Sequence, residues 1–428
     1  MVSTESRSTP IGHRLGGALA SSVGIAAFSI LGAVVIARTL GPVGKGELAL
    51  LVLWPQLVST LGNAGVDLGA TYFSGDPARR RDVPATALRI ACVQSLVVVP
   101  VYLVLVPVLF RSPDLGLLPF VVALLIPIDL AALYAVHALN GRHDYGAFNI
   151  ARSVMAPVFG LGALALSAAD VLTVGSAAAL FIVANAAIAV VALAYTGRRY
   201  GFGTYDGRLA RSLGGYGLRA HLGRLSPQGL CFDLAIVAIV LAPRDLGLFT
   251  AAASFLGVGR VVVSSVGLVV FPETRASHVA GTGNAAVGAM IAFAVAASGI
   301  VATGLWIAAG PLAALVFGDG FRAAGTVAAI LATGEVARAC YLLLLDMLRG
   351  AGRPALTTAA EAVNWALFTG AVIAAASLGG LVTIATGIAV ANFGSLAALL
   401  ILGRRAEALG FLVGRPPASP PTSAEARA

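Results

Sequence analysis

From Leu15 to Phe73 the chain is apolar except for one short turn, Arg38 to Glu47, which is rich in glycine and carries Pro42. Both flanking runs are long enough to cross a bilayer, since a span needs roughly 20 predominantly apolar residues. This one stretch limits the fold severely. In hydrocarbon every backbone N–H and C=O must be bonded within the protein, which leaves helices or a closed barrel. No run in the chain alternates as a strand would, so helices are the only candidate. The second run also carries Gln56, Thr60, Asn63, Asp67 and Thr71. At 100° per residue these fall within a sector of roughly 60°. A membrane helix with one wet stripe turns it toward a water-filled cavity or toward hydrogen-bonding neighbours in the first half of the chain.

The same pattern continues to the end. Twelve spans are expected near 17–37, 48–73, 86–109, 115–139, 148–168, 172–195, 218–241, 246–271, 285–309, 322–347, 355–377 and 381–403. The chain is 58% hydrophobic and 11% charged, whereas a soluble domain is about 25% charged. Its mean hydropathy is +0.93. The 51 glycines suit helices that approach closely in lipid. The net charge of +9 places basic residues in cytoplasmic loops and does not imply a nucleic-acid partner. Cys92, Cys231 and Cys340 have unrelated spacing, so neither a disulfide framework nor a metal site is expected. The apolar run after the N-terminus is too long for a signal peptide, so it is read as a retained first helix.

Orientation follows from arginine and lysine placement. Seventeen of the 28 basic residues fall in one set of loops and five in the other, Arg38, Lys45, Arg111, Arg244 and Arg322. This puts both termini in the cytoplasm. Sequence echoes point to an internal duplication: IARTLGPVGKGELA at 36–49 with LAPRDLGLFTAAA at 241–253, and LNGR at 139–142 with LRGAGR at 348–353. The expected organisation is an N-terminal six-helix lobe (1–196), a cytoplasmic linker (197–217), a C-terminal six-helix lobe (218–414) and a disordered tail (415–428). Two parallel repeats related by an axis along the membrane normal fit a transporter. Within the linker, Leu209, Leu213 and Tyr216 recur at helical spacing, so part of it is expected as an amphipathic interfacial helix.

The ARTLGPVGKGELAL turn resembles the opening signature of polysaccharide-export flippases of the multidrug/oligosaccharidyl-lipid/polysaccharide exporter superfamily. Phe232-Asp233 through Leu246-Gly247-Leu248-Phe249-Thr250-Ala251, closed by Phe271-Pro272, resembles the seventh and eighth helices of that family. The resemblance implies a twelve-helix flippase whose helices one, two, seven and eight border a central cleft. The family often has a basic residue two positions before the acidic one; here Cys231 stands there.

The resemblance directs attention to charged residues inside spans. Arg260, mid-span, must face water, a partner or a ligand. Arg224 and Gln228 with His221 share one face of the expected seventh helix, though Pro227 sits among them. A guanidinium suits a pyrophosphate because its planar fork binds two phosphate oxygens and stays charged. The substrate-site candidates are therefore Arg260, Arg224, Gln56, Asn63, Gln228 and His221. Asp67 and Asp233 are candidates for coupling H+ or Na+, and Asp233 is a candidate partner for Arg260. Glu335 and Arg338 are three apart, so they are expected to neutralise each other structurally. Asp129, His137, Glu361 and Asn364 have no assigned role. GPVGKG at 41–46 is no phosphate loop, because it lacks the full spacing and follows a membrane helix. No catalytic constellation, cofactor site or metal site can be assembled.

These readings lead to a flippase, not an enzyme, in a bacterial cytoplasmic membrane. It would move a polyprenyl-pyrophosphate-linked oligosaccharide outward by rocking of two lobes, among membrane lipids and alongside glycosyltransferases and a polysaccharide polymerase. The alternatives are an ion-coupled multidrug antiporter of the same superfamily, a lipid II flippase, and a membrane glycan polymerase or ligase.

Overall fold

The computed structural model describes residues 11–110, 115–222, 232–280 and 285–405. Among the described residues all regular structure is helical, with no strand. The chain divides into two compact units, Met1–Gly247 and Leu248–Ala428. The first holds α1 (Ile11–Gly62), α2 (Val66–Ser74), α3 (Val83–Leu109), α4 (Leu118–Val121), α5 (Leu125–Gly141), α6 (Tyr145–Ser153), α7 (Met155–Ala168), α8 (Val174–Tyr200), α9 (Gly207–Leu222) and α10 (Phe232–Val240). Helix α11 (Pro243–Phe255) carries the chain across the division. The second unit then holds α12 (Gly257–Ala280), α13 (Ala285–Phe317), α14 (Arg322–Gly350), α15 (Pro354–Leu378) and α16 (Leu381–Arg405). Among the described residues, nine helical stretches are long and apolar enough to cross a membrane, or ten if α11 and α12 are one bent span.

Four expected boundaries move. The turn at 38–47 is not a loop: α1 runs through it, broken only at Gly41, whose φ of 68° and ψ of −175° leave the helical region. Glycine tolerates that φ, and Pro42 behind it sits where a missing N–H is harmless. Lys45, expected in an outer loop, is buried, and its Nζ donates to Ala33 O at 3.3 Å. The second expected span is broken at 63–65, where Ala64 (φ 48°) and Gly65 (φ 77°) are left-handed. The eighth is broken at Leu256 between α11 and α12, with a bend of 56°. The seventh, 218–241, divides between the end of α9 and α10, and residues 223–231 lie outside the described residues.

Each unit has one hub. More than half of the stretch Leu118–Gly141 in unit one and of Asp319–Gly350 in unit two is buried, against under a third of Val83–Leu109 or Ala285–Phe317. Leu125, Ile126, Leu130, Tyr134 and Leu139 make α5 the first hub; Val327, Leu343, Leu345 and Leu348 make α14 the second. Large side chains such as Leu96, Val104, Ile300 and Ile307 point outward, where lipid is as apolar a solvent as a protein core. Helices in lipid therefore hold together by close packing of small residues.

The sequence echoes become contacts of one kind. A Cβ on Gly141 (α5) would lie 2.0 Å from Thr71 O on α2, and one on Gly350 (α14) would lie 2.6 Å from Phe271 O on α12. The two proline-containing echoes meet each other. A Cβ on Gly46 would sit 1.7 Å from Pro243 O, and one on Gly247 would sit 1.9 Å from Pro42 O. In each echo the glycine follows its proline by four residues, so the contact is reciprocal.

In the linker, α9 lies against α2. Leu209 and Leu213 are buried, and Tyr216 stacks on Tyr72 with ring centroids 4.5 Å apart. A Cβ on Gly69 would come within 2.6 Å of Leu213 O.

Candidate functional site

The polar stripe converges on the break between α1 and α2. Asn63 Nδ2 donates to Asp67 Oδ1 at 2.8 Å, and the Asp67 amide donates back to Asn63 Oδ1 at 3.3 Å. The asparagine side chain thus satisfies an amide that the start of α2 would leave unpaired. Both residues are buried. Helix α5 closes the network from across the crossing. Thr71 Oγ1 lies 3.0 Å from His137 Nδ1, and His137 Nε2 lies 3.8 Å from Asp67 Oδ2. Gln94 Nε2 donates to Asn63 O at 3.3 Å, and the Tyr134 hydroxyl bonds both Asn63 O and Gln94 Oε1. Gln56 and Thr60, higher on α1, are half-buried. One buried carboxylate surrounded by an imidazole, two amides and hydroxyls can hold a proton or a small cation, because a buried charge persists only where it is paired or hydrogen-bonded.

The second unit holds a different centre. Arg260 on α12 donates through Nε to Glu335 Oε1 at 2.9 Å, and its Nη2 bonds the same oxygen. From α14, Arg338 Nη1 lies 3.0 Å from Oε1 and 3.2 Å from Oε2. Two guanidiniums share one carboxylate, so the cluster has an excess of one positive charge. The expected Glu335–Arg338 pair is present, but it is not self-contained: Arg260 joins it. The Arg260 side chain is 45% exposed, against 15% for Arg338 and 17% for Glu335. Arg338 Nε is buried without a hydrogen-bond partner. Beside the cluster lies a recess with about 270 Å³ of open space, lined by Leu256, Arg260, Val263, Ser298, Val301 and Glu335.

A third polar group lies at the C-terminal end of α14. Arg349 Nη1 bonds Asp346 Oδ1 at 3.0 Å, and its Nη2 lies 3.9 Å from Glu361 Oε1. Asn364 links Glu361 to Ser395, at 3.2 and 2.9 Å.

Arg224 and Gln228 lie outside the described residues. His221 is on α9 and Asp233 on α10, and their side chains lie outside them too. The sequence offers Asp233 as a candidate partner for Arg260; among the described residues Arg260 bonds Glu335. Sequence reasoning assigned no role to His137 and did not name Tyr134 or Gln94, although the i,i+4 spacing of Asn63, Asp67 and Thr71 marks the face they meet. Among the described residues no group of three or more His, Cys, Asp or Glu is placed to hold a metal ion.

No family model matches the chain, and no curated protein matches it in sequence. In fold it is similar to solved membrane transporters. It aligns with the inward-facing conformation of a multidrug resistance MATE family transporter of the MOP superfamily at TM-score 0.69 and 15% identity, over 92% of this chain and 99% of that one. With the lipid II flippase MurJ in its inward closed conformation the TM-score is 0.73 at 10% identity, over 92% and 89%. With MATE in the straight conformation it is 0.56 at 17%, over 94% and 99%. The expected all-helical, twelve-span, two-lobed layout fits this fold.

Proposed function

We propose that the chain is a flippase carrying a polyprenyl-pyrophosphate-linked oligosaccharide from the cytoplasmic to the outer leaflet of a bacterial cytoplasmic membrane, with both termini inside. The observation that carries this reading is the excess positive charge at Arg260, half-exposed on an open recess. An anionic pyrophosphate is costly to move through hydrocarbon unless a fixed cation meets it. Guanidinium supplies that charge and a bidentate fork. The transport step breaks no covalent bond. Arg224, Gln228 and His221 are proposed as further contacts to the cargo, and Gln56 to line the path of the hydrated glycan. Asn63 serves by holding Asp67, the proposed H+ or Na+ coupling residue; Asp233 is a second coupling candidate. Glycosyltransferases and a polymerase would act before and after this step. That one of the similar folds is a lipid II flippase supports a lipid-linked cargo.

The test is glycan export in cells carrying Arg260→Ala, with membrane insertion followed by immunoblot. Export is expected to fall at least about tenfold, the scale of one lost charge-assisted contact, while Arg260→Lys retains part of it. Wild-type export from Arg260→Ala would overturn the reading.

A second reading, an ion-coupled multidrug antiporter, draws on the buried Asp67 centre and on the MATE folds. It predicts that Asp67→Asn abolishes drug efflux while Arg260→Ala leaves efflux intact.

A further inference from the structure

Glu335 holds its two arginines in unequal ways. Arg338, three residues later on the same helix, spans both carboxylate oxygens at 3.0 and 3.2 Å. Arg260 comes from another helix and touches Oε1 alone. The Arg260 link is also the exposed one, since its guanidinium faces the recess while Glu335 and Arg338 are largely covered. If an anion enters the recess, Arg260 can leave the carboxylate without stranding it, because Arg338 keeps both oxygens. The reverse exchange would leave Arg338 buried and uncompensated, which is far more costly.

Resting on the pyrophosphate reading above, we propose that Glu335 is a resident counter-anion that the cargo's phosphate displaces from Arg260. Headgroup binding then breaks the ion pair that ties α12 to α14, and headgroup release restores it. In the empty state the carboxylate covers the arginine, lowering affinity but allowing the cargo to leave. Glu335 is thus a positioning residue acting through Arg260. Its signature is a split between affinity and turnover.

The experiment measures binding of farnesyl pyrophosphate and inorganic pyrophosphate to the purified full chain in detergent, with farnesol as the uncharged control, alongside glycan export in cells. Glu335→Gln keeps the shape and removes the competing charge. It is expected to bind farnesyl pyrophosphate about tenfold more tightly than wild type and yet to export less. Arg338→Gln turns Glu335 wholly toward Arg260 and is expected to bind several-fold more weakly. These opposite signs distinguish displacement from simple structural damage, which would weaken both. Should Glu335→Gln not be recovered folded, Glu335→Ala takes its place: tighter binding supports the proposal, equal or weaker binding overturns it. Wild-type binding with no gain in Glu335→Gln overturns the counter-anion role and leaves the headgroup site standing. No binding of either pyrophosphate by any form fells both.

Discussion

The crossing of α2 and α5 and the crossing of α12 and α14 are built on the same contact and carry opposite chemistry. In each a glycine near the end of the hub helix, Gly141 or Gly350, sits directly against a carbonyl of the other helix. One turn away the occupants diverge. Unit one places Asp67 of α2 beside His137 of α5. Unit two places Gly267 of α12 beside Asp346 of α14, where an added Cβ would come 3.0 Å from the carboxylate. Farther along, α12 and α14 meet again through Arg260 and Glu335, whereas in the first unit Tyr134 and Gln94 bond the carbonyl of Asn63, the residue that holds the acid. Backbone approach in lipid leaves no alternative to glycine, so the repeat keeps it. The side chains next to it can be exchanged singly, so one unit has an acidic centre and the other a basic one.

The comparison breaks first at its glycines. Gly141→Ala should destabilise the protein by about 3 kcal/mol, the upper end for overpacking. Gly350→Ala should cost about 1–2 kcal/mol, because its Cβ meets the carbonyl less closely. Thermal melting in detergent checks the order, and equal tolerance would show that the two crossings are not equivalent. Next, Asp67→Asn should remove ion-driven transport by at least about tenfold while Asp346→Asn, held by Arg349, retains most of it; transport under an imposed ion gradient reads both. A matched loss in the two would erase the division of labour. Thr71→Val, which deletes the hydroxyl's contacts to His137, should cost only about 1 kcal/mol of stability.

The smallest effect lies outside the spans, at Asp144. Burial alone would raise this carboxyl, but hydrogen bonds from Tyr200, the Ala147 amide and Arg199 outweigh it and hold it below the usual carboxylate range. A lowered folded pKa means that the contribution is complete above the unfolded value and disappears as pH falls through the folded one. The melting difference between wild type and Asp144→Asn should therefore be constant near neutrality and vanish in acid. A difference that grew on acidification would contradict the hydrogen-bond account. The matched turn of unit two, Arg349 to Arg353, contains no aspartate, so no such dependence is expected there.

Much of this was legible in the residues. The stripe of Asn63, Asp67 and Thr71 declared itself by helical spacing, and Arg260 by being a charge in mid-span. Glu335 and Arg338 declared themselves as neighbours on one helix. What spacing cannot give is which helix lies across. His137 stands 66 residues from Thr71, and Glu335 stands 75 from Arg260, and neither separation has a local signature. The helix breaks were hidden for another reason. Hydropathy is indifferent to a single residue's dihedral angles, so Gly41 read as part of a loop and Ala64 as part of a span.

The sequence by itself determined the membrane, the helices, the repeat and the turns at which the repeat recurs. Each of these depends on composition or on short-range spacing, and in hydrocarbon the backbone has no other way to satisfy its polar groups. Only the tertiary structure decided that two arginines answer to one carboxylate and that a histidine closes the ring around Asp67. Those partners are chosen by the depth and angle at which distant helices cross, and these are set by which small residues let the backbones touch.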